Sequence, residues 1–173
     1  YRNGEALLSL DLGPVQDYAY RGGRAMVRLH EKQMRRFLDV WQAADTAEIR
    51  LPDTRDPDCA SLEALLRPVL GSAGGYISWI CKQLALPDPA VEPVPEGELD
   101  VKRSRRYLDH LLDRWRRPLI DVPAESYYKP EYPSPWKVLF CIDAMLEHAV
   151  MHPMRHGLQL EELLESQSRG KPE

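Results

Sequence analysis

Three of the chain's five histidines fall in one short run, Glu147-His148-Ala149-Val150-Met151-His152-Pro153-Met154-Arg155-His156-Gly157. On a helix, residues four apart stand one turn apart on the same side. Imidazoles at that spacing can share one divalent ion, and neutral imidazole suits zinc, nickel, copper or iron. The apolar neighbours put His152 and His156 on or beside the inward stripe of their helix, with His148 further round toward the flank. The plainer role for such histidines is a half-buried helix edge satisfied by carbonyls or nearby acids, and both readings stand at this point.

A second candidate lies far upstream. His30 falls between Met26 and Met34 on an apolar stripe, where a core histidine bonded to a neighbour is the ordinary reading and metal ligation the sharper one. His110 falls beside its stripe and reads as a surface residue. Arg103, Arg105, Arg106, Arg114, Arg116 and Arg117 make one segment strongly basic. The usual reason is a solvated face with Asp109 and Asp113 nearby, the alternative an anion-binding face for an acidic thiol cofactor. Glu161, Glu162 and Glu165 read as a solvated helix end. Tyr127, Tyr128 and Tyr132 either pin a proline-rich loop or line a pocket mouth. Cys59, Cys81 and Cys141 form no CxxC pair, an odd set that reads as free thiols in a reducing compartment, with Cys81 and Cys141 as inert core thiols. No Ser-His-Asp order, P-loop or dinucleotide fingerprint is present.

Four amphipathic helices are expected to carry these residues. The first spans about 24–44 on the stripe Met26, His30, Met34, Phe37 and Trp41. The second spans about 61–86 and is capped by Ser61. It contains Pro68, Gly71, Gly74 and Gly75, whose weak propensity tertiary packing must offset or the helix must bend. Pro87 and Pro89 stop it, and a proline- and glutamate-rich connector to about Leu99 has the length of a crossover. The third helix spans about 100–117, capped by Asp100. The fourth spans about 135–166, with Ser134 as cap and Pro135 in its first turn. Residues 1–23, broken by Gly13-Pro14 and Gly22-Gly23, read as an irregular lead-in, and residues 167–173 as a disordered tail. No alternating strand is evident. The fold class is therefore all-α, a single domain over 1–173 built as a four-helix bundle with long crossover connections.

The run from His148 to Leu163 resembles the last helix of the DinB/YfiT-like metalloenzymes. The run Gly75-Tyr76-Ile77-Ser78-Trp79-Ile80-Cys81-Lys82-Gln83-Leu84 resembles their second helix, and His30-Glu31-Lys32-Gln33-Met34-Arg35-Arg36-Phe37-Leu38 their first. The likeness spans about residues 20–165. It implies a four-helix bundle whose divalent metal, commonly nickel, zinc or iron, is held by three histidines. Two of them match His152 and His156. The third belongs early in helix two, at or next to Pro68, and no histidine lies between His30 and His110. Proline cannot ligate, and two imidazoles leave an open site. His30 is the first candidate for the third ligand and His148 the alternative. The implied activity is that of a metal-dependent thiol transferase or hydrolase, in which the metal activates a small-molecule thiol or a water. The alternative is a metal-free bundle serving in dimerisation or small-ligand binding. The family habit also implies a homodimer.

Bulk properties narrow the classes. With 173 residues the chain suits one domain with a substantial core, and its net charge of −4 offers no global field for nucleic acid. No run approaches the roughly 20 apolar residues of a membrane span. The expected compartment is the cytoplasm.

Overall fold

The structure is a computed structural model and describes residues 18–53 and 59–169. Among these, the chain is all-α apart from one very short hairpin: α1 Arg21–Thr46, α2 Leu62–Gln83, α3 Val101–Trp115, the single turn α4 Glu125–Tyr128, β1 Tyr132–Pro133, β2 Leu139–Phe140 and α5 Ile142–Arg169. No helix among the described residues is long and apolar enough to cross a membrane.

One core joins the four long helices. Met34, Phe37, Leu38 and Trp41 of α1 meet Leu66, Leu70, Ile77 and Ile80 of α2, Leu111, Leu112 and Trp115 of α3, and Met145, Leu146, Ala149 and Leu160 of α5. Helix directions follow from named contacts. Arg36 pairs with Glu161 and Gln167 donates to the Arg50 carbonyl, so α1 and α5 run parallel. They pack closely: Gly157 of α5 stands beside Phe37 of α1, where a Cβ would lie 3.9 Å from the Phe37 Cα. Arg35 pairs with Asp109 and Arg116 with Glu31, which sets α3 antiparallel to α1. Trp41 Nε1 donates to the Leu62 carbonyl at 2.7 Å, and Trp115, against His30 on α1, donates to the Ala73 carbonyl of α2 at 3.1 Å. Helix α2 therefore also opposes α1 and runs parallel to α3.

Two successive parallel helices need a return path. Residues 84–100 provide it by running back along α2, with Val91 against Gly74, Val94 against Gly71, and the Pro95 carbonyl accepting from Arg67. This explains why α2 stays continuous through Pro68 and its glycines. A Cβ on Gly74 would stand 2.9 Å from Val91 Cγ1, so the bare backbone admits the crossover. Burial of α2 on several sides outweighs its poor propensity. Ser61 accepts from Ala64 N and Asp100 from Arg103 N, so both expected caps form.

Several boundaries differ from expectation. Helix α1 starts at Arg21 rather than near 24: first-turn N–H groups have no intrahelical partners to lose, and Gly23 makes room for the Tyr127 ring packed on it. The remainder of the expected lead-in, residues 1–17, lies outside the described residues. The last helix starts at Ile142, not near 135. Ser134-Pro135-Trp136-Lys137 is a turn that closes the β1–β2 hairpin, with Lys137 N donating to the Ser134 carbonyl, Val138 N to Ser134 Oγ, and Lys137 at φ +64°. Serine followed by proline suits the first two positions of a β-turn as well as it suits a helix start. Cys141 takes the capping role for α5, its sulfur accepting from Ala144 N. The expected tail begins later than 167, since α5 continues to Arg169; residues 170–173 lie outside the described residues.

Candidate functional site

Helix α5 buries Met145, Ala149, Pro153, Gly157 and Leu160 along one stripe, the spacing of a single helix face. His148, His152 and His156 repeat at four residues just beside that stripe, each half-buried. They form a row on the flank. Pro153, inside the helix, cannot donate to the Ala149 carbonyl, yet α5 runs through it without a break.

Two other elements complete the row. Tyr76 from α2 faces both upper imidazoles, with ring centroids 5.3 Å from His148 and 6.0 Å from His152, and its hydroxyl stands 3.4 Å from His152 Nδ1. The hairpin contributes Trp136 and Phe140, whose centroids lie 5.4 and 5.8 Å from His148. His148 thus sits among three aromatic rings. Along the row, His148 and His152 are nearly parallel at 6.4 Å, while His152 and His156 stand edge to face at 5.0 Å. Gln159 Oε1 lies 2.9 Å from His156 Nδ1, which fixes that ring.

Burial lowers the pKa of His152 to about 4, helped by the neighbouring His156, His148 and Arg155. Burial, then Arg155, also lowers that of His148. Both imidazoles are neutral near pH 7 and carry a lone pair for a hydrogen-bond donor or a metal. Burial raises the Tyr76 pKa, so its hydroxyl keeps its proton.

His30 belongs elsewhere. Its ring is fully buried on α1, stacked on Trp115 with centroids 3.9 Å apart, and neither ring nitrogen has a hydrogen-bond partner. Among the described residues, no group of three or more His, Cys, Asp or Glu side chains is placed to hold a metal ion. Pro68 stands inside α2, where the resemblance would set a ligand. The donors present therefore do not fit a three-histidine centre.

Several of the other sequence candidates have structural roles. His110 Nε2 accepts from Glu92 N and tethers the crossover to α3. Glu161 pairs with Arg36. Tyr127 is fully buried, and Tyr132 packs on Trp79. All three cysteines are thiols, and burial, then Asp88, raises Cys81 to about 11. Sequence reasoning missed Tyr76, Trp136 and Phe140 as parts of the row. In sequence Tyr76 is one more apolar position of its helix, and Ser134-Pro135 ahead of Trp136 carries the signal of a helix start rather than of a hairpin turn.

Comparison with protein-family models, curated proteins and solved structures finds no match for this chain.

Proposed function

We propose that this chain is a four-helix bundle of the DinB/YfiT-like type that works as a small-ligand-binding module without that family's three-histidine metal. The placement of His30 carries the reading: the residue best suited to supply a third ligand is stacked in the core on Trp115 instead. Loss of the third donor leaves a flank of neutral imidazoles beside Tyr76 and Trp136. Such a surface suits a ligand with a hydrogen-bonding head and a flat apolar part.

One observation favours the metal-dependent reading, a thiol transferase or hydrolase using nickel, zinc or iron. The His152–His156 centroid separation of 5.0 Å is close to what two imidazoles on one ion require. Metal–nitrogen bonds of about 2.0–2.1 Å at a coordination angle of about 90–110° put the centroids roughly 4.5–5.3 Å apart.

Elemental analysis of untagged protein separates the two readings, followed by zinc titration of the wild type and of His152→Ala. The ligand-module reading expects metal far below one equivalent per chain and only weak uptake at the pair. A full equivalent that disappears in His152→Ala would sink it and restore the metalloenzyme reading. The homodimer belongs to the same proposal, with exposed Trp136, Val138 and Leu139 as the shared face. Light scattering at high concentration that returns the 19.9 kDa monomer mass counts against it.

A further inference from the structure

Three arginines of the basic segment on and just after α3 have partners in the fold. Arg103 donates to the Glu96 and Glu98 carbonyls, Arg105 to Asp39 and Gln42, and Arg116 to Glu31. These arginines bind the helix to its neighbours. Arg114 and Arg117, one turn apart near the α3 C-terminus, form none of the ion pairs found among the described residues. Both line one cleft of about 510 Å³ between the exit of α2 and residues 118–126. The Arg114 Nε is out of reach of solvent and has no acceptor. Buried donors are nearly always satisfied, so a guanidinium that lines a cleft with one donor unmet leaves a place there for an acceptor that the chain does not supply.

The rest of the lining says what kind of acceptor. Asp88, Asp113 and Asp121 share the cleft. Asp88 is engaged with Ala90 N, whereas Asp113 and Asp121 take part in none of the ion pairs above. A simple anion reaching the guanidiniums would face these carboxylates, and a simple cation would face the arginines. A ligand bearing both charges is opposed by neither. The C-terminal pole of α3 adds partial negative charge beside the carboxylates. Leu84, Leu86, Pro87 and Val122 give the cleft an apolar wall.

We propose that this cleft binds a small zwitterion with an apolar body, of the class of a free amino acid with a large side chain. Its carboxylate is received by Arg114 and Arg117 and its ammonium by Asp113 and Asp121. Arginine forks match carboxylate geometry, which a lysine at the same place does not reproduce. The site shares no residue with the imidazole row and stands whether or not that row holds a metal.

The test uses the full chain with L-phenylalanine as probe, and 3-phenylpropionate and 2-phenylethylamine as controls that each keep one charge. Binding is followed by calorimetry and by the NMR signals of arginine Nε–H and of the amides of 84–89 and 113–123. L-Phenylalanine is expected to move the Arg114 Nε–H signal and to bind at least about tenfold tighter than either control. Arg117→Gln should weaken it by about tenfold, Arg114→Lys likewise, and Asp121→Asn should weaken L-phenylalanine but not 3-phenylpropionate. Arg117 and Asp121 are exposed, so their variants decide the matter even if Arg114→Lys unfolds. Absence of shifts at saturating L-phenylalanine, controls that bind as tightly, or variants that bind like wild type would each overturn the proposal.

Discussion

The imidazole of His30 lies nearly flat on the indole of Trp115, with centroids 3.9 Å apart and planes at 27°, and neither of its nitrogens meets a hydrogen-bond partner. Burial alone lowers the His30 pKa from 6.5 to about 3. The unfolded chain therefore binds a proton that the folded chain refuses between those values. Stability is complete above about pH 6.5 and falls as pH drops toward 3, by an amount on the order of 4–5 kcal/mol at the limit. His30→Phe keeps the stack, removes two unsatisfied polar atoms and removes this titration. It should match or exceed wild-type stability at pH 7 and gain on wild type steadily toward pH 4. Urea unfolding of both proteins across that range checks it; a constant difference would refute the assignment.

Glu31 sets an opposing example. Burial resists its ionisation, yet hydrogen bonds and charge from Arg116 and then Arg35 hold its pKa below the ordinary value. That contribution is present above the usual carboxylate pKa and is lost as pH falls through the lowered one. Because both arginines are substantially exposed, Glu31→Gln should cost only about 1 kcal/mol at pH 7 and less at pH 3. Thermal melts at the two pH values measure the difference.

Two adjacent glycines of α2 should respond in opposite directions. Gly74→Ala drives a methyl group toward Val91 Cγ1 and should destabilise by about 1–3 kcal/mol. Gly75 is exposed, with nothing within 4 Å of an added Cβ, so Gly75→Ala should stabilise by about 1 kcal/mol through helix propensity. Denaturant midpoints of the pair test the crossover path directly. Equal effects would mean that Val91 does not lie where the structure sets it.

Cys81 should be the slowest thiol in the molecule. It is 1% exposed and its pKa is raised to about 11, whereas Cys59 and Cys141 are both more open. A thiol reagent at pH 7.5 should modify Cys81 only as fast as the protein unfolds, as peptide mapping after timed labelling would show.

The sequence made some of this legible and hid the rest for physical reasons. The periodic stripe on α1 located His30 in the core, and Ser61 and Asp100 marked real caps, because periodicity and capping are local chemistry. Ser134-Pro135 misled, since the same two residues open a β-turn and a helix equally well. The histidine row was visible as spacing, but its aromatic walls arrive from α2 and the hairpin, and no local pattern encodes that meeting. On α3, the arginines could not be sorted into structural and uncommitted ones until their partners Asp39, Glu31 and the crossover carbonyls were located in space.

The pairing of α1 with α5 also governs how this chain reaches its native state. Arg36 and Glu161, which clasp the two helices, are 125 residues apart in sequence. During synthesis α1 emerges before α2, α3 and their connections, and α5, the helix it packs on most extensively, exists only after all of them. Val27, Met34 and Phe37 stay exposed or make provisional contacts through that interval, and so distant a closure slows folding relative to a bundle of sequential hairpins. A ribosome stalled before α5 would therefore hold a chain with an uncovered apolar stripe, a natural target for chaperones.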